Sequence, residues 1–110
     1  MPNLSAILFA VADPSRRQLL QHLAHGPATS GQLAKVLTSS RPAATQHLGI
    51  LQRAGLVRST RNGRNLWHEL SPAPLIDVER WIRGLTETWV EAPTLDLSGA
   101  RRPHLVGVPR

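Results

Sequence analysis

The sequence predicts a helix-rich α+β fold: four short helices, one β-hairpin, then a longer fifth helix. Three observations carry this. Apolar residues recur at three- and four-residue spacing in five separately punctuated stretches. One stretch, 56–70, changes instead to alternation about an Asn-Gly pair. Charge is sorted by segment: between Pro14 and His68 there are eight Lys or Arg and no carboxylate, whereas Glu69 to Asp96 holds six acids against two arginines.

Leu4, Ile7, Leu8 and Val11 are helically spaced and predict a first amphipathic helix over 3–11. The second, in "ADPSRRQLLQHLAHGP", is bounded at both ends. Asp13 caps it and Pro14 suits its first position, where no backbone N–H is needed; Gly26 stops it and Pro27 forbids continuation. Its inward face is Leu19, Leu20 and Leu23. The third, "TSGQLAKVL", opens with Thr29 and Gln32 at capping-box spacing and turns Leu33, Val36 and Leu37 inward. The fourth starts at Ser39 or Ser40 with Pro42 in its first turn, carries the stripe Ala44, Leu48, Leu51, and ends at Gly55. In "LVRSTRNGRNLWHEL", Asn62-Gly63 is expected to supply the positive φ angles of a two-residue hairpin turn, and Leu66, His68 and Leu70 alternate with Trp67 and Glu69. The fifth helix is expected over 73–91, with Leu75, Val78, Ile82, Leu85 and Trp89 in one stripe widened by Trp81.

The 110 residues read as one domain over 1–91 and a flexible tail over 92–110, where periodicity stops. With no cysteine there is no disulfide framework, thiolate metal site or thiol switch. No stretch approaches the roughly 20 apolar residues of a membrane span, and the N-terminus lacks signal-peptide features. The expectation is a cytoplasmic protein with no membrane partner. A formal charge of +6 and a pI near 11.7 point to a polyanion partner for the acid-free segment.

Helices joined by a "TSS" turn and followed by a basic hairpin form the order of a winged helix-turn-helix, which binds double-stranded DNA with the N-terminal half of its second helix in the major groove. Arg41, Thr45 and Gln46 project away from the Ala44/Leu48/Leu51 stripe. Gln can pair with adenine, Arg with guanine, and a Thr methyl can touch thymine. Ser39 and Ser40 lie where a helix N-terminus meets phosphate. Taken singly, Gln46 is more often solvated than base-reading, His47 bonds locally as readily as it meets phosphate, and Arg61 and Arg64 also read as edge-strand charges. Their falling together in the acid-free segment favours DNA.

The stretches "ADPSRRQLLQHLAHGPATSGQLAKVL", "SRPAATQHLGILQRAGLV" and "RNGRNLWHELSPAPL" resemble the ArsR/SmtB-type bacterial transcriptional regulators over roughly residues 4–91. The resemblance implies a homodimeric winged helix that binds an operator, usually as a repressor released by an effector. It places Ser40, Arg41, Thr45, Gln46 and His47 on the recognition helix and Arg61, Asn62 and Arg64 in the wing; Ser39 and Arg58 join the candidate DNA contacts by their position in the acid-free segment. Two departures stand out. Gly49 replaces a basic residue common in relatives, and the third helix has no thiol for the family's cysteine sensor sites. For the family's other site, on the last helix, the chain offers Asp77, Glu79, Glu87 and Glu91 but no histidine there; His104, or His22 with His25, would have to supply nitrogen. The expectation is therefore no cofactor, with a nickel-, zinc- or cobalt-responsive regulator as the alternative, its candidate ligands Asp77, Glu79, Glu91 and His104. A winged helix serving only protein interaction is the other alternative, which an acid-free face disfavours. No nucleophile motif, phosphate loop or His-Glu-x-x-His marks an enzyme.

Two apolar stripes, Leu4, Ile7 and Leu8 on the first helix and Leu75, Val78, Trp81, Ile82, Leu85 and Trp89 on the last, exceed what one small domain is expected to cover. Pairing with a second copy would bury them.

Overall fold

The computed structural model describes residues 3–89. The order is α1 (Leu4–Val11), α2 (Pro14–Leu23), β1 (Ala28–Thr29), α3 (Ser30–Leu37), α4 (Arg41–Arg53), β2 (Val57–Asn62), β3 (Asn65–Leu70) and α5 (Ala73–Thr88). The tail expected over 92–110, with Glu91 and His104, lies outside the described residues.

The helix starts follow the local chemistry. Asp13 accepts from the Arg16 N–H at 3.1 Å with Pro14 at the first turn. Thr29 and Gln32 close a reciprocal capping box, with bonds of 3.2 and 2.9 Å. Ser40 caps α4 by accepting from the Ala43 N–H at 3.2 Å. At the other ends, Gly26 (φ 147°) and Gly55 (φ 78°) take positive φ after α2 and α4. Between α3 and α4 that conformation falls to Thr38 (φ 50°), a β-branched residue poorly suited to it.

The sheet is antiparallel in the order β1-β3-β2. Strand β1 was not foreseen: two residues, Ala28 opposite His68 and Thr29 opposite Trp67, add to the hairpin's free edge. The hairpin turn also differs by one residue. Asn62 pairs with Asn65, so the loop is Gly63-Arg64, and Gly63 alone has positive φ (66°). That is the pattern of a turn with glycine at its first central position, which needs no positive φ at the second. The shift puts Arg64 at the tip of the wing.

The core gathers Ile7 and Ala10 of α1, the leucines of α2, Leu33 of α3, Leu48 and Leu51 of α4, and Leu56 and Val57 leading into β2. Burial of these side chains is the main force holding the helices on the sheet. Ile7, expected at an interface between copies, is 1% exposed: its helical position faces the core, so it has no surface to offer a second chain. Leu75 and Val78 are also partly used within the chain, packed against the core's edge. Leu4 and Leu8 are half-buried. Trp81, Ile82, Leu85 and Trp89 remain exposed, and no residue of α5 is fully buried. Phe9, 62% exposed, and Ile76 extend the uncovered apolar surface beyond the residues foreseen.

Candidate nucleic-acid interface

Helix α4 sorts its residues by face. Ala44, Leu48 and Leu51 are buried, and the opposite side leaves Arg41, Thr45 and Gln46 exposed in its N-terminal half. Ser39 and Ser40 are exposed just before it, where the first-turn N–H groups carry partial positive charge. The Arg41 guanidinium lies back over Gly31 of α3: a Cβ there would stand 3.3 Å from Nη2. Gly49 borders only the Arg53 guanidinium, 3.6 Å from where a Cβ would be. The arginine one turn on therefore covers this position.

His47 is half-buried, its Nδ1 3.4 Å from Arg16 Nη1 and 3.9 Å from an Asp13 carboxylate oxygen. Nδ1 thus faces α2. The Asp13 carboxyl is held below its ordinary pKa chiefly by the Arg16 N–H, opposed by desolvation and assisted by the charges of Arg16 and His47.

The wing leaves Arg58, Arg61, Asn62 and Arg64 exposed. Arg58 stands opposite Glu69 in the ladder, and their charges meet at 4.0 Å. So loose and exposed a pair contributes little stability and leaves Arg58 available to another anion. Two cations of the acid-free run serve a different purpose. Arg16 Nε and Nη2 donate to the carbonyls of Ala10 and Phe9 at 2.7 and 3.0 Å, and Arg17 Nη1 donates to Val11 and Ala12 at 2.8 and 2.9 Å. Both arginines thus satisfy the end of α1. Arg16 occupies the α2 phase shared with Leu19, Leu20 and Leu23, and that was the sequence signal of its burial.

Sequence reasoning also missed a polar chain beneath the wing. His68 is 2% exposed, and its ring nitrogens meet two hydroxyls: Nε2 the Ser30 Oγ and Nδ1 the Ser59 Oγ, each at 2.7 Å. Ser59 Oγ also accepts a short bond from Gln52 Nε2. Burial lowers the pKa of His68 and keeps the ring neutral. The available signal was a polar residue in the inward phase of β3, between Leu66 and Leu70.

Of the metal candidates, Asp77 is half-buried on α5, and Glu79 meets Arg83 at 3.6 Å. Among the described residues no three His, Asp or Glu cluster as metal ligands would, and His22 and His25 are exposed on or just after α2. No helix among them is long and apolar enough to cross a membrane.

A helix-turn-helix domain family matches residues 11–60, which run from the end of α1 into β2. Over 82 residues the chain is 43% identical to the HTH-type transcriptional regulator Rv2034 of Mycobacterium tuberculosis, covering 70% of this chain and 77% of that protein. It is 30% identical over 79 residues to the transcriptional repressor SdpR of Bacillus subtilis, covering 72% and 88%. The crystal structure of an ArsR family transcriptional regulator, RHA00566, matches with a TM-score of 0.74 at 35% identity, covering 78% of this chain and 89% of that one.

The chain belongs to the ArsR family of transcriptional regulators. The resemblance read from its motifs and the winged helix-turn-helix read from its element order both hold. As an ArsR-family member it is a DNA-binding transcriptional regulator. In such a protein α3 and α4 form the helix-turn-helix, α4 is the recognition helix, and β2–β3 is the wing.

Proposed function

We propose that this ArsR-family protein is a cytoplasmic repressor that binds an inverted-repeat operator as a homodimer. The observation that carries the DNA reading is the exposure of Arg41, Thr45 and Gln46 along the N-terminal half of α4, followed in the chain by a wing tipped with Arg64. Gln46 and Arg41 supply base-reading groups. Ser39, Ser40, Arg58, Arg61, Asn62 and Arg64 contact the sugar-phosphate backbone and set the register, because short hydroxyls and flexible cations suit phosphate better than base edges. His47 acts by holding α4 against α2.

Pairing is supported by the apolar surface of Trp81, Ile82, Leu85 and Trp89, joined by Phe9 and Ile76, on a chain whose core is already complete. A two-fold pair through α1 and α5 would bury it and set two recognition helices about one DNA turn, roughly 34 Å, apart. Repression follows the relative named as a repressor.

Selection from a random duplex library, then footprinting, tests this reading. The expected product is an inverted repeat with half-sites about 10 base pairs apart. On it, Gln46→Ala costs about 1–3 kcal/mol while binding to random duplex barely changes. Equal losses on both would reduce Gln46 to a positioning role, and a library that yields no enriched repeat would overturn the operator reading.

A further inference from the structure

The wing is bonded to the recognition helix directly, Gln52 to Ser59, and a buried histidine carries the chain of bonds on to α3. His68 stands on the central strand of the sheet, with Ala28 on one side and Ser59 on the other. Its two nitrogens reach Ser30, the first residue of α3, and Ser59 on β2, and Ser59 is held in turn by Gln52 in the last turn of α4. The chain of bonds thus joins both helices of the helix-turn-helix to both strands of the wing. A neutral imidazole has one donor and one acceptor. One arrangement satisfies every group: the Gln52 amide donates to Ser59 Oγ, the Ser59 hydroxyl donates to His68 Nδ1, and His68 Nε2–H donates to Ser30 Oγ. The opposite tautomer would make Ser59 Oγ accept twice and leave its proton with no partner in this chain of bonds. The buried ring is neutral, as that arrangement needs.

We propose that Ser59 and His68 are positioning residues for DNA binding, which fix the angle of the wing to α4 so that Arg61 and Arg64 reach phosphate while the recognition helix is seated. β1 holds the β3 side of the hairpin, at His68 and Trp67, and this chain of bonds holds the β2 side to the end of α4. β2 leaves α4 at Val57, and Ser59 is two residues further toward the tip, with Thr60 to Asn65 exposed beyond it. A packed apolar residue at position 68 would fill the space, but it could bond neither Ser59 nor Ser30 at the start of α3. The proposal rests on the reading that the wing contacts DNA, and the experiment separates the two.

The salt dependence of operator binding is measured for wild type, Ser59→Ala, Ser59→Thr, the pair Arg61→Ala/Arg64→Ala, and the combination of Ser59→Ala with that pair. Ser59 is only half-buried, so the alanine variant is expected to fold; Gln52→Leu, on an exposed position, breaks the same link from the other end. Ser59→Ala and Gln52→Leu are each expected to lower the slope by about one unit for each phosphate that the wing no longer neutralises. Ser59→Thr keeps the hydroxyl and is expected to keep the wild-type slope, which a role in packing alone would not predict. The arginine pair should cost less in the Ser59→Ala background than in wild type, because the wing is already displaced. A wild-type slope and affinity in Ser59→Ala, with a lowered slope in the arginine pair, overturns the positioning role and leaves the wing reading standing. Strictly additive losses overturn it likewise. An unchanged slope in the arginine pair overturns both.

Discussion

Arg16→Met removes a guanidinium from the interior and keeps much of its apolar stem, so the loss can be worked from the bonds. Arg16 is 6% exposed. Its Nε and Nη2 donate to the carbonyls of Ala10 and Phe9, in the last turn of α1, where backbone N–H donors run short and the Phe9 carbonyl also takes the Ala12 N–H at 3.2 Å. The guanidinium also sits 5.0 Å from the centroid of the Phe9 ring and reaches His47 of the recognition helix. A hydrogen bond to a charged group contributes roughly 1.5–3 kcal/mol. Removing two such bonds, less the relief of no longer burying a cation, costs about 3 kcal/mol. That is a large part of the roughly 5–15 kcal/mol that holds an ordinary domain folded. Arg16→Lys keeps the charge but cannot bridge two carbonyls as a planar fork does, and about half of the loss is expected. The measurement is urea unfolding followed by circular dichroism at one fixed protomer concentration, because association would shift the midpoint. In the folded Arg16→Met variant the Asp13 carboxyl titrates closer to its ordinary value but stays below it, since the Arg16 N–H that chiefly lowers it remains. The salt slope of DNA binding should not change, because this arginine faces α1. A loss under about 1 kcal/mol, or equal losses for Met and Lys, would refute the account of Arg16 as a cap for α1.

Three further outcomes are expected. Thr38→Asn relieves a β-branched residue at positive φ in the turn before α4 and should stabilise the protein by about 1 kcal/mol in the same unfolding assay; no gain would mean that the αL conformation is not strained there. Arg61→Ala with Arg64→Ala should flatten the salt dependence of operator binding by about one unit per phosphate left without its arginine, and a wing held off the DNA would leave it unchanged. Leu85→Glu puts a charge on the exposed stripe of α5 and should give a monomer in sedimentation equilibrium at micromolar concentration, with operator affinity reduced; a variant that stays dimeric with full affinity would place the interface elsewhere.

The parts of the fold legible in the sequence are those whose cause lies within a few residues. Asp13-Pro14, Thr29 with Gln32, and Ser40 before Pro42 each satisfy N–H groups one turn away, so their spacing alone locates three helix starts. Gly26 and Gly55 mark two ends by the same short range. The exposure of Arg41, Thr45 and Gln46 was legible because a stripe of Ala44, Leu48 and Leu51 fixes which way the other side of a helix must look.

What remained was decided by partners distant in sequence. Ala28 and Thr29 carry no strand pattern of their own and become β1 only because the edge of β3, about forty residues on, offers a ladder to pair with. The Asn-Gly pair announced a turn but not its register, which the pairing of Asn62 with Asn65 settled and which moved Arg64 from strand to tip. Ile7 looked like a surface stripe until the leucines of α2 and α4 closed over it. Arg16 and His68 were readable as a basic residue and a strand residue. Burial reassigned them, because a polar group removed from water must find its bonds inside, and only the folded chain shows which carbonyl or hydroxyl stands within reach.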